Sequence, residues 1–262
     1  MMTRGRLQPV NVNRMETIMR NGLPAVLLVL FVVSGCVSQP CEPGAEEVRL
    51  QLGMHYLASG DYAAAERNFL RAQAAAPEDY RVSLARARLA QQQGNQTAAQ
   101  ARFILAQQQA PDNGFVANNY GAFLCALRQY DEAHQQFSRA GAAPQFDARN
   151  DARELAGFCY LQAGDVAAAR RTLRQALEAD RRKADSLLSE AEKLMADNQL
   201  AKVQVLLDVY QQQLPETARS LVLHLRFAAL QGNAADVSRY GDQLARRFPQ
   251  SIQYQRYLAN EY

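Results

Sequence analysis

The chain has 262 residues, 48% of them hydrophobic and 21% charged, which suits a folded chain with a sizeable core rather than a disordered one. Its formal net charge is +3, but residues 1–35 hold Arg4, Arg6, Arg14 and Arg20 against Glu16 alone, so the excess belongs to the N-terminal segment and the remainder is formally neutral. A nucleic-acid-binding function therefore has no electrostatic support.

The first candidate element is the eleven-residue run Leu23–Val33 (LPAVLLVLFVV), which follows Arg14 and Arg20. A transmembrane helix needs about 20 apolar residues. This run has instead the length and basic flank of a signal-peptide core. Met1, Met15 and Met19 are all compatible with its start. The run closes on Val33-Ser34-Gly35-Cys36, which resembles the bacterial lipobox. That resemblance implies removal of residues 1–35 and a covalent N-acyl and S-diacylglycerol lipid on Cys36, with no other cofactor. Each buried acyl CH₂ adds about 0.8 kcal/mol of membrane affinity, so several chains anchor stably. Val37 rather than aspartate follows the cysteine, and this resembles sorting to the outer membrane, on its periplasmic face. Residues 36–45 read as a lipidated tether containing proline and glycine.

From Glu46 onward the chain repeats with a period of 34. Pro77 and Pro111 are 34 apart, as are Phe69, Phe103 and Phe137, then Ala65, Ala99 and Ala133, then Ala72, Ala106 and Ala140. This spacing resembles the tetratricopeptide (TPR) signature. The fold class expected is all-α: a right-handed TPR superhelix of about six helix-turn-helix repeats at 46–79, 80–113, 114–147, 150–183, 184–217 and 218–251. Residues 252–262 read as a C-terminal capping helix. Small residues at the eighth position (Gly53, Ala87, Gly121, Gly157) let two antiparallel helices approach, and Phe69 and its counterparts fill the space left between them. Proline after the second helix stops it, and Gly60, Gly94 and Gly164 sit at the helix-helix turns. No single unit can bury its apolar face, so stacking supplies the core. Repeats five and six are weaker, keeping Ala191, Leu194 and Pro215, then Gly232 and Pro249.

No catalytic constellation is visible, and the protein is not expected to be an enzyme. His55, His134 and His224 fall at different positions of different repeats, so no metal site is expected. Acidic pairs such as Asp131-Glu132 suit helix starts. Cys125 and Cys159 lie on the first helices of neighbouring repeats, two positions out of step; two small packed thiols are expected rather than a disulfide. Cys41 lies in the tether without an obvious partner. Function should reside in the surface. The TPR resemblance implies a groove lined by first-helix residues: Leu50, Met54 and Leu57; Arg81, Leu84, Arg88 and Gln91; Phe115, Asn118, Ala122 and Cys125; and Asp151, Glu154, Phe158 and Leu161. The partner-binding set singled out is Leu50, Met54, Leu84, Arg88, Phe115, Asn118, Asn119, Glu154 and Phe158. Its mixed character suits a peptide segment or partner helix better than a small-molecule substrate. The alternative is that these residues pack within the protein. Asn118 is expected to face the groove, where its amide can hydrogen-bond an extended backbone.

A lipobox, a short tether and six TPR units, with NNYGAFL (Asn118–Leu124), YDEA after it, ARSLVLHLRFA (Ala218–Ala228) and the ending FPQSIQYQRY, resemble the type IV pilus biogenesis lipoproteins of the PilF/PilW pilotin family. The likeness runs over nearly all of the chain after the leader, with repeat five departing most. It implies an outer-membrane-anchored scaffold that binds the type IV pilus secretin. Such a scaffold promotes the secretin's localisation and multimerisation, on which pilus biogenesis and twitching motility depend. A rival class is a TPR lipoprotein adaptor for outer-membrane protein insertion or for a peptidoglycan enzyme.

Overall fold

A computed structural model describes residues 44–261. The leader, the Cys36 lipidation position and Cys41 lie outside the described residues. Thirteen helices and no strands are present among the described residues: α1 (Ala45–Ala58), α2 (Tyr62–Ala75), α3 (Tyr80–Gln92), α4 (Gln96–Gln109), α5 (Gly114–Ala126), α6 (Tyr130–Ala142), α7 (Phe146–Ala163), α8 (Val166–Ala179), α9 (Lys183–Ala196), α10 (Leu200–Gln213), α11 (Ala218–Leu230), α12 (Ala234–Arg247) and α13 (Ile252–Leu258). Each odd-numbered helix up to α11 packs on the helix that follows it, and the pairs stack in chain order as a TPR superhelix. The short α13 closes the end by packing on α11 and α12. None of these helices is long and apolar enough to cross a membrane.

The helices start where capping side chains recur. Asp61, Asn95, Asp165 and Asn233 each accept a hydrogen bond from the backbone N–H three residues on, and Thr217 with Ser220 forms a full capping box. Each such cap contributes about 1 kcal/mol. The intra-repeat turns require a left-handed backbone. Gly60 supplies it at φ 79°, whereas repeats three and five place Arg128 (φ 63°) and Asn198 (φ 55°) at the equivalent point. A side chain in this region costs about 1–2 kcal/mol, least for asparagine, so those two turns are held by the packing of the helices they join.

The small-large contact inside each pair is direct. A Cβ on Gly53 would stand 2.4 Å from Cε1 of Phe69, one on Gly121 2.7 Å from Cε1 of Phe137, and one on Gly157 2.6 Å from Cγ of Leu173. Phe69, Phe103 and Leu173 are fully buried. Phe103 also stacks on Tyr120 at 5.6 Å and meets Phe123 at 5.0 Å, carrying the core from repeat two into repeat three.

Repeat four departs from the simple period. α7 has 18 residues against 13 in α5, and it begins at Phe146. The junction before it is pinned by Arg149, which donates to the carbonyls of Ala143 and Pro144 at 2.7 and 2.8 Å, and by Gln145, whose Oε1 accepts from the Gly114 amide. Lengthening there also alters register, and it corrects the expectation for the cysteines. Cys125 and Cys159 form a disulfide, with Cα atoms 5.9 Å apart. Neighbouring first helices run side by side, so the faces that meet lie on opposite sides of the two helices. A two-residue offset turns a side chain by about 200°. The offset that seemed to separate the sulfurs therefore brings them face to face.

Beyond repeat four the stacking changes. α5 packs closely on α7, but at the joint between repeats four and five the close packing is between second helices, α8 and α10. The core there is aliphatic, built from Leu187, Leu188, Leu194, Val203, Leu206 and Leu207, and it extends back to Leu161 and Leu173.

Candidate peptide-binding groove

The first helices α1, α3, α5 and α7 form one continuous inner row, α1 against α3, α3 against α5 and α5 against α7. Three recesses lie along it. Met54, Leu57, Ala58, Arg88, Gln91 and Gln92 line the first, between α1 and α3. The second, between α3, α5 and α7, is lined by Arg88, Phe115, Asn118, Asn119, Ala122, Asp151, Glu154 and Leu155. The third lies where α7 and α9 diverge; Leu155, Phe158, Cys159 and Gln162 face Glu190 and Lys193 across it.

The singled-out residues divide by this geometry. Arg88, Phe115, Asn118, Asn119 and Glu154 converge on the middle recess, Met54 lies in the first and Phe158 in the third. Leu84 is half-buried against the core of repeats two and three. Leu50 does not line the groove: it is buried with Phe69, Val82 and Ala85. Leu57, though buried, lines the first recess beside Met54, while Leu161 is, like Leu50, a core residue. For Leu50 and Leu161 the helix is apolar on more than one face, and the side turned to the next repeat was mistaken for the side turned to the groove.

Asn118 also behaves differently from expectation. It is 3% exposed, and its Nδ2 donates to the Ala148 carbonyl at 2.7 Å, across the joint to α7. Its donor is spent on holding repeats three and four together, while Oδ1 has no partner. Asn119 does the outward-facing work. Its Nδ2 donates to the Phe115 carbonyl at 2.7 Å, and its Oδ1 accepts from Arg88 Nε at 3.0 Å and Nη2 at 2.5 Å, fixing the guanidinium on the rim. Phe115 stands 40% exposed beside it.

At the other wall, Glu154 is 6% exposed, with Oε2 2.9 Å from Lys183 Nζ. The same ammonium donates to Asp151 Oδ1. Burial works against charge on Lys183, but its bonds to Asp151 and Glu154 outweigh that and hold its pKa above the ordinary lysine range. Lys183 was absent from the sequence-derived set. It opens α9, one residue ahead of the start expected for repeat five, whose weak match to the 34-residue pattern hid the alignment, although its distance of 32 from Asp151 is nearly one period. Among the described residues no group of His, Cys, Asp and Glu is placed to hold a metal ion.

What this inner face offers is a strip of mixed chemistry, with a positively charged rim at α3, an aromatic edge at α5 and carboxylates at α7. A strip of that kind suits an extended or helical peptide segment.

No protein-family model matches the chain. It is 27% identical over 245 residues to the type IV pilus assembly protein PilF of Pseudomonas aeruginosa, an alignment spanning 90% of this chain and 97% of PilF. It is 30% identical over 179 residues to an uncharacterized protein of Haemophilus influenzae, covering 67% of this chain and 99% of that one. Among solved structures, that of Pseudomonas aeruginosa PilF superposes with a TM-score of 0.56, covering 82% of this chain and 97% of PilF. The type IV pilus biogenesis factor PilW, 28% identical, superposes with a TM-score of 0.57, over 82% of this chain and 99% of PilW.

Proposed function

This chain belongs to the family of TPR proteins that includes the type IV pilus biogenesis factors PilF and PilW, and we propose that it is a lipid-anchored assembly scaffold for the pilus secretin. In this reading the acyl chains on Cys36 hold the protein on the periplasmic face of the outer membrane, and the inner groove holds a segment of the secretin. Anchoring raises the effective concentration of secretin subunits at that membrane, so individually weak contacts suffice for multimerisation. The scaffold does no chemistry; it positions.

The observation that carries the reading is the breadth of the likeness to PilF, which extends over 97% of that protein rather than over a single repeat. Two further features support it. The middle recess has the mixed polar and apolar lining of a peptide site. The Cys125–Cys159 disulfide suits an oxidising compartment such as the periplasm.

Cys36→Ala tests the anchoring step. The variant is expected to fold normally, leave the outer-membrane fraction and lower the yield of secretin multimers. Normal fractionation together with normal multimers would overturn the mechanism.

A further inference from the structure

The middle recess contains two acceptor oxygens that nothing satisfies. Asn118 Oδ1 and Glu154 Oε1 are both buried without a hydrogen-bond partner, on residues 3% and 6% exposed. Leaving a buried acceptor unsatisfied is unfavourable, and more so when it is charged. The Asn118 orientation is fixed, because Nδ2 must face the Ala148 carbonyl; Oδ1 is therefore an acceptor and cannot be exchanged for a donor. Two carboxylates, Asp151 and Glu154, share the single Lys183 ammonium, which leaves this wall with an excess of one negative charge. Above it, Phe115 and the half-buried Leu155 supply apolar surface.

We propose that this recess is a pocket for one arginine or lysine side chain of the bound segment. The inference rests on the groove being the partner-binding face and adds what that face selects. The aliphatic stem lies along Phe115 and Leu155, as long basic side chains do on apolar surface. The head group donates to Glu154 Oε1 and Asn118 Oδ1, with rotation about the terminal torsion of Glu154, a broad and soft one, turning Oε1 toward it. Arg88, fixed by Asn119 on the opposite rim, repels a second positive charge and favours a carboxylate or a backbone carbonyl next to the anchor. The site therefore selects both a basic residue and the direction in which the segment runs.

The test uses the full lipidated chain in detergent against an array of overlapping peptides from the secretin. Each arginine is also presented as citrulline, and each lysine as acetyl-lysine. Neutralising the anchor residue is expected to weaken binding about tenfold or more, as for loss of a hydrogen bond to a charged group. In Glu154→Gln, which keeps the side chain's shape, the charged and neutral peptides are expected to bind alike. Because the neutral substitutions lie in the peptide, they leave the protein's folding untouched. Peptides that bind equally well in charged and neutral form to the unaltered protein would overturn the pocket but leave the groove reading intact. No bound peptide at all would overturn both.

Discussion

Repeat one and repeat six solve the same packing problem with opposite residues. In repeat one the first helix carries Gly53 and the second carries Phe69, which presses onto it. Sixteen residues likewise separate Leu225 from Gly241 in repeat six, but there the large side chain is on the first helix and the glycine is on the second. Leu225 is fully buried with Leu221 and Leu244, and the face opened by Gly241 is occupied from outside: a Cβ there would lie 2.1 Å from Cζ of Tyr257 on α13. Between these ends the pair passes through Gly121 with Phe137, Gly157 with Leu173 and Ala191 with Leu207. What recurs at these two positions is one small residue and one large one, including Ala87 with Phe103 in repeat two, rather than a fixed residue type. The inversion also explains why the terminal helix docks where it does.

The contrast can be broken most severely by removing the large member at either end. Phe69→Ala should cost about 3–5 kcal/mol and Leu225→Ala about 2–5 kcal/mol, each read as a lowered thermal midpoint. A large loss for one and none for the other would mean that the two contacts are not equivalent. Next comes the staple between the two ends. Cys159→Ser, or reduction of the disulfide, should cost about 2–4 kcal/mol, with hydrogen exchange rising first along α5 and α7. Gly53→Ala comes third, because its new Cβ meets a fully buried ring that cannot leave; such overpacking costs about 1–3 kcal/mol. Gly241→Ala should be milder still, within about 1 kcal/mol, because the group it strikes is the far end of a side chain on a peripheral helix. Its expected signature is faster proteolysis at α13 with little change in the melt.

The smallest effect concerns pH. Burial pushes the His224 pKa below the usual imidazole value, more than the Ser220 carbonyl and Asp208 pull it up, with Arg239 pushing down as well. His134, stacked 3.8 Å from Tyr160 in the central region, is also lowered by burial, against Asp131 and Asp165. In both cases the unfolded chain takes up the proton first as pH falls. The stabilisation by a neutral buried ring is therefore present above the unfolded value of about 6.5 and is lost as the pH drops through and below it. Melting at pH 7 and at pH 5 should show this loss, and His224→Gln should reduce it at the repeat-six end. An unchanged pH dependence in that variant would show that His224 contributes nothing to it.

Most of the fold was legible because the periodicity is carried by residues with a single physical reason to be there, such as the glycine-phenylalanine notches and the prolines after helices. The disulfide was not. Its prediction depended on which faces of two parallel helices meet, and sequence position alone reads a two-residue offset as divergence. The candidate site was half legible. Arg88, Phe115 and Glu154 could be placed on a first-helix face by counting, whereas Asn119 entered only as the neighbour of Asn118. Leu50 looked the same by counting and is core, because α1 is apolar on the side that meets α3 as well. Lys183 was invisible for a different reason: repeat five replaces the marker alanines with Val203 and Tyr210, and the register that would have paired it with Asp151 was lost with them.

In the proposed function the inner face, not the outer one, holds the partner. This is tested most directly by placing a photo-crosslinking residue in cells at Phe115 on the inner face and, separately, at Ser138 beside Tyr160 on the opposite side of the α6–α7 packing. A secretin adduct is expected from position 115 and none from 138. A secretin adduct from position 138 alone would contradict that reading.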